Sequence, residues 1–226
     1  MVNFGNAITK PFTDTKSLGI GIILGAIPFV NALTVNGFGM NCAKHADKKS
    51  LPNWENIVDH IIKSILAIIV SIIYMIPAII VGIIVIGTLI ASIMPLISGG
   101  TVDLNTIINS MIGTGIVGFA ICAILALIAV FLLPLALTRY VIKGGFGDAF
   151  ALGKIIKRAL TGEYIIAWIV YLIYAFIVSA VLSFIGGMLL IVPVIGFVIA
   201  MLFSGLAMYM MSVTGFTIFG QLKWKD

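Results

Sequence analysis

Four long stretches without a charged side chain govern what this chain can fold into. Ser17 to Ala43, Ser64 to Ser98, Ile107 to Thr138 and Tyr164 to Leu222 contain no Lys, Arg, Asp or Glu. About 20 apolar residues cross a bilayer as a helix, so each run is long enough to span, and the last, at about 59 residues, can span twice. A charged side chain at mid-membrane costs about 2.5–3.5 kcal/mol on insertion scales, while each Leu, Ile, Val or Phe gains roughly 0.3–0.6 kcal/mol, which gives the separation of charged connections from apolar runs a direct cause. With 62% hydrophobic and 9% charged residues, the chain could not cover its apolar surface in water. The expected class is an all-α integral membrane protein, read as a single polytopic domain over residues 1–226.

The basic residues draw a topology. Eleven of the thirteen fall in three places: Lys44, Lys48, Lys49 and Lys63; Arg139, Lys143, Lys154, Lys157 and Arg158; and Lys223 and Lys225. The connections Gly99 to Thr106 and Ile185 to Val192 hold only Asp103. Lys and Arg are retained on the cytoplasmic side, which predicts four crossings, at 64–97, 107–138, 164–186 and 189–219, with the C-terminus cytoplasmic. The run 17–43 is flanked by lysines at both ends. Either it is a fifth span or it turns back at Pro28 as a re-entrant hairpin, since proline removes a backbone donor and the freed groups need protein cover in lipid. Its Asn31, Thr34 and Asn41 fall within about 80° on a helical wheel, where they either bond neighbouring helices or line a polar path.

Two shorter segments alternate as amphipathic helices. Trp54 to Lys63 sets Trp54, Ile57, Val58, Ile61 and Ile62 against Glu55, Asn56, Asp59, His60 and Lys63, with Asn53 as N-cap. Asp148 to Leu160 sets Leu152, Ile155, Ile156 and Ala159 against Lys154, Lys157 and Arg158. Both are expected in the cytoplasmic headgroup layer, with His60 on the wet face. The order of surface helix, crossing, bare loop and crossing occurs at 53–142 and again at 147–222, which suggests a parallel duplication.

Candidate chemistry is sparse. Gly113 to Gly118, GTGIVG, matches the glycine spacing of a dinucleotide fingerprint but lacks the strand before it and the acid about 20 residues on, so its small residues read as helix packing. Neither His45 nor His60 has the partners of a zinc site, and the serines within the runs have no titratable neighbour. Cys42 and Cys122 read as packing residues. No cofactor, metal site or enzymatic activity is expected. The runs hold none of the ionisable residues that proton-coupled carriers keep inside the membrane, and Pro28, Pro77, Pro134 and Pro193 are the expected helix breaks.

The strings LLPLALTRY (132–140), AFALGKII (149–156) and GEYIIAW (162–168), with IPFVNALTVNGFGMNCAKHADKKSLPNW (27–54) before them, resemble the domain of unknown function 4013 family. The likeness runs from about Phe4 to Gln221 and implies a multi-pass membrane protein of archaeal or bacterial type; it brings no activity, substrate or site residue. The functional expectation is a non-catalytic scaffold or accessory subunit of the cell membrane. Its partners are the bilayer, anionic headgroups held by Lys63, Arg139, Lys154, Lys157 and Arg158, and a membrane protein or a second copy of the chain, with nucleic acid excluded. The alternative is a channel or carrier for a small solute without proton coupling.

Overall fold

The computed structural model describes residues 2–98, 104–192, 194–222 and 224. Asp103, Pro193, Lys223 and Lys225, which enter the charge pattern and the proline breaks, lie outside the described residues. Helix is the only regular structure among the described residues, as lipid demands of a chain that must satisfy its own backbone. In chain order the α-helices are α1 (Phe4–Thr9), α2 (Thr15–Ala26), α3 (Val30–Lys44), α4 (Ile57–Ile97), α5 (Leu104–Asn109), α6 (Gly118–Lys143), α7 (Leu152–Ala159), α8 (Gly162–Leu189) and α9 (Ile195–Gly220). A π-helical stretch, Ser110–Val117, joins α5 to α6, so GTGIVG lies on helix with no strand before it.

Four helical segments among the described residues are long and apolar enough to cross a membrane: Trp54–Met94, Ile112–Lys143, Gly162–Leu189 and Ile195–Gly220. The two amphipathic segments join them differently. A 3-10 turn at Trp54–Asn56 leads straight into α4, because nothing between Ile57 and Lys63 interrupts the ladder. α7 is instead separate from α8, whose N-cap Thr161 takes an extended conformation and accepts from the Tyr164 amide. The prolines also divide. Pro28 follows the end of α2, whereas Pro77 and Pro134 lie inside the unbroken α4 and α6. Apolar flanks on both sides hold those two helices together across the missing donor, a loss tolerated more readily in membrane helices than in water.

Two compact units divide the chain, one of residues 1–70 with 134–226, the other of residues 71–133. The division runs through α4 and α6 and is independent of the suggested repeat. In the smaller unit α4 and α6 pair antiparallel: Cys122 Sγ donates to the Ala78 carbonyl at 3.3 Å, and Gly118 lies against Val85. Their remaining surface is mostly isoleucine, leucine, valine and phenylalanine, with Ile83 66% and Leu127 64% exposed. Such a surface is stable against acyl chains or another apolar surface, not in water.

The larger unit is organised by α9. A Cβ added to Gly21 would strike Tyr209, and one added to Gly25 would lie 2.6 Å from the Gly205 carbonyl oxygen, so α2 descends along α9. Gly39 meets Ser212 and Ala43 meets Gly220, so α3 ascends along it. Residues 15–44 are therefore a helical hairpin whose turn is Ile27-Pro28-Phe29. At 12 and 15 residues, α2 and α3 measure only about 18 Å and 22 Å, short of the roughly 30 Å hydrocarbon core. Phe29 carries the turn at φ 66°, a left-handed conformation unusual for a bulky side chain. The Val30 amide donates to Pro28 O at 2.8 Å, the Asn31 amide to Ile27 O at 3.1 Å, and Asn31 Nδ2 to Gly25 O at 3.3 Å. These three bonds cover carbonyls that the turn would otherwise leave bare in an apolar setting.

Candidate functional site

Most of the larger unit's polar chemistry gathers where the end of α3 meets the start of α4. Asn53 caps the 3-10 turn by accepting from the Glu55 amide, which fixes Trp54 indoors, stacked on Phe38 with ring centroids 4.1 Å apart and planes 6° from parallel. His60 stands edge-on to both rings, at 5.5 Å from Phe38 and 5.6 Å from Trp54, and is 1% exposed. Glycine on α3 makes this approach feasible: a Cβ at Gly37 would fall 1.9 Å from the His60 carbonyl oxygen.

Asn41 is the hub. Its Nδ2 donates to Asp59 Oδ2 at 2.9 Å and faces His60 Nδ1 at 2.8 Å, while its Oδ1 accepts from Lys63 Nζ at 2.7 Å. Lys63 also pairs with Asp59 one turn back. Because the amide nitrogen has only hydrogens to offer, His60 Nδ1 must present a lone pair, and Nε2 then carries the proton donated to Asn53 O at 3.1 Å. The network thus assigns a neutral imidazole with both nitrogens engaged. A cavity of about 410 Å³ lies beyond the Trp54 side, lined by Asp14, Lys16, Ser17 and Asn53, and one of about 360 Å³ lies over Asn41, His45, Lys48, Asn56 and Asp59. The second is the more polar of the two; the first also carries Ile20, Leu51, Pro52 and Trp54 on its walls. Among the described residues no three His, Cys, Asp or Glu side chains gather as a metal-holding set.

His60 is thus on the buried face of α4, contrary to the wet face expected of it. The buried stripe is His60, Ser64, Ala67 and Val70, whereas Val58 and Ile62 are 65% and 52% exposed. His60 and Lys63 turn toward α3, which supplies matching groups, while Glu55, Asn56 and Asp59 stay exposed; on the apolar side Trp54 is buried and Ile57, Val58 and Ile62 face outward. Asn31 and Thr34 do not join Asn41: Asn31 bonds the hairpin turn, and Thr34 Oγ1 donates to the Val30 carbonyl of its own helix at 2.7 Å.

Of the five basic residues suggested for headgroups, three are already paired. Lys63 belongs to the Asn41 network. Arg139 is 4% exposed, with Nη2 3.3 Å from Asp148 Oδ1 and its guanidinium 5.0 Å from the centroid of a Trp224 ring. Arg158 Nη2 lies 2.7 Å from Glu163 Oε2. Lys154 and Lys157 on α7 remain exposed. There Ile155 and Ala159 are buried, Leu152, Ile156 and Leu160 are 50%, 44% and 73% exposed, and the two lysines follow next around the helix.

Lys10 is the charged residue that patterning did not single out. It is fully buried, and its Nζ donates to the His45 carbonyl, tying the start of the chain to the end of α3. Burial lowers its pKa, opposed by the nearby Cys42 and Asp47. A lysine outside the apolar runs carries no local signal of such burial; only the fold brings His45 to it.

A family model described as a protein of unknown function, DUF4013, matches residues 20–187. No curated protein and no solved structure matches the chain.

Proposed function

The chain belongs to the DUF4013 family, whose description supplies no activity, and we propose that it serves as a non-catalytic scaffold or accessory subunit of the cell membrane that holds anionic lipid through α7. The observation that carries this reading is the three-way division of α7. One edge is buried in the protein, the next presents Leu152, Ile156 and Leu160, and the third presents Lys154 and Lys157. An exposed apolar strip beside an exposed basic strip fits a helix lying at the boundary of acyl chains and headgroups. On this reading α7 and the C-terminal end of α9 are cytoplasmic, where lysine and arginine are retained and anionic lipid gives about 1 kcal/mol per basic residue. The hairpin 15–44 then enters and leaves the bilayer on the same side. The paired Lys63, Arg139 and Arg158 hold helix ends together rather than lipid.

Native mass spectrometry of the protein extracted gently from its own membrane tests both parts. Retained anionic lipid that is lost in the Lys154→Gln, Lys157→Gln double variant supports the α7 assignment; unchanged retention overturns it. A second protein at fixed stoichiometry supports an accessory role, and a chain found only alone with lipid removes it.

A further inference from the structure

A second cavity, of about 410 Å³, lies well away from the polar junction, between the hairpin turn and the facing stripes of α8 and α9. Its walls carry Asn31, Ser179, Ser183 and Ser204 beside apolar residues such as Leu182, Phe203 and Met208, and they carry no charge. Gly187 and Leu190 line it near the end of α8, while Ser179 and Met211 close its deeper end, with Ser179 Oγ donating to Met211 Sδ at 3.4 Å.

The serine hydroxyls are the telling feature. A serine or threonine inside a membrane helix ordinarily satisfies itself by donating to a carbonyl three or four residues back. This chain does so repeatedly: Thr34 to Val30, Thr88 to Ile84 and Ser92 to Leu89. Ser183 and Ser204 do not; no hydrogen bond joins either hydroxyl to the described residues, and both are exposed on the cavity wall. A bare hydroxyl in hydrocarbon forfeits about 1–3 kcal/mol or more, so acyl chains are poor company for two of them. Water, at ~30 Å³ per molecule, fits the volume several times over and meets both.

The geometry points to a water-filled vestibule, open near the α8–α9 turn and ending at Ser179 and Met211, that admits small uncharged hydrogen-bonding solutes to mid-membrane depth. The uncharged lining sets the class. An ion would lose its hydration with no opposite charge to replace it, whereas a short alcohol or amide exchanges water for Asn31 and the serines.

Cysteine accessibility tests this on the full chain in sealed proteoliposomes, with Cys42 and Cys122 replaced by Ala. Because a thiol reacts as its thiolate, which needs water, Ser183→Cys and Ser204→Cys should react with an uncharged, water-soluble methanethiosulfonate about tenfold faster than Phe184→Cys and Leu202→Cys. Those two control positions are 69% and 38% exposed and off the cavity. Equal rates would mean that lipid fills the groove and would overturn the vestibule. Ala200→Cys, on the same wall, gives the same reading if a serine variant does not fold. The solute class is tested by the ratio of uncharged to charged reagent rates, which should rise about tenfold from Leu190→Cys at the mouth to Met211→Cys at the closed end, since charge is penalised with depth. A constant ratio overturns the preference for uncharged solutes.

Discussion

The segments Trp54–Lys63 and Leu152–Leu160 carry the same alternation of apolar and charged residues, yet they differ in what they bury. At the start of α4 the polar His60 is buried and Val58 faces out; on α7 the apolar Ile155 is buried and Lys154 and Lys157 face out. Amphipathicity in a membrane protein therefore marks two unlike faces without saying which is inside. The neighbour decides. α3 offers α4 an asparagine that can serve three polar partners, beside a glycine that lets the backbones close. Among the described residues no such hub faces α7, and its basic edge stays exposed.

That contrast breaks most visibly at the glycines. Gly37→Leu should destabilise the detergent-solubilised protein by about 3 kcal/mol or prevent its folding, because the added side chain begins 1.9 Å from the His60 carbonyl. Gly153→Leu on α7 meets nothing within 4 Å and should leave the melting temperature unchanged or raised. A Gly37 variant that melts like Gly153→Leu would dissolve the distinction. Next in size is Asn41→Leu, which strips partners from Asp59, His60 and Lys63 together and should cost about 2 kcal/mol in the same melt.

A smaller effect belongs to Asp14, an exposed carboxylate that caps α2. The hydrogen bond from Ser17 holds its pKa below the ordinary 3.8. The unfolded chain therefore takes up the proton first, so the contribution is complete above pH 3.8 and fades as pH falls through the lower folded value. Melts at pH 5 and pH 3 should show this loss, and Asp14→Asn should flatten it. The least effect on stability is expected on α7: Lys154→Gln with Lys157→Gln should change the melt by no more than about 0.5 kcal/mol. Retention of anionic lipid should nevertheless fall, and raised salt should mimic that loss without disturbing the His60 network.

Much of the architecture was legible in residue order. Charge-free runs located the four long helices, and the lysine-rich end of α7 was visible in its spacing. The site was less legible. Asn41 was noticed as a polar residue in an apolar run, but its partners lie 18 to 22 residues away on another helix, and no local period reports them. Asn31, Thr34 and Asn41 do share the continuous α3, but ten residues, about 15 Å of helix, separate the first from the last, and Asn31 on the first turn is spent on its own hairpin. Pro77 and Pro134 resemble Pro28 in sequence, but of these three it is Pro28 that stands before a residue in left-handed conformation, as Val194 is elsewhere in the chain. Lys10 gives no sign of its place in residue order, because burial of a charged side chain outside the apolar runs depends on tertiary closure.

The hairpin also has a history in time. α2 and α3 rest on α9, yet about 150 residues of chain separate α3 from the helix that covers it. At roughly 5–20 residues per second of synthesis, that is on the order of 10–30 s during which α2 and α3 lack the groove of α9. The glycines that later press against Gly205 and Tyr209 are bare throughout that interval. Of the hairpin's partners only the start of α4, met through Gly37 and Asn41, follows it closely in the chain, so that junction can close long before α9 exists to cover α2.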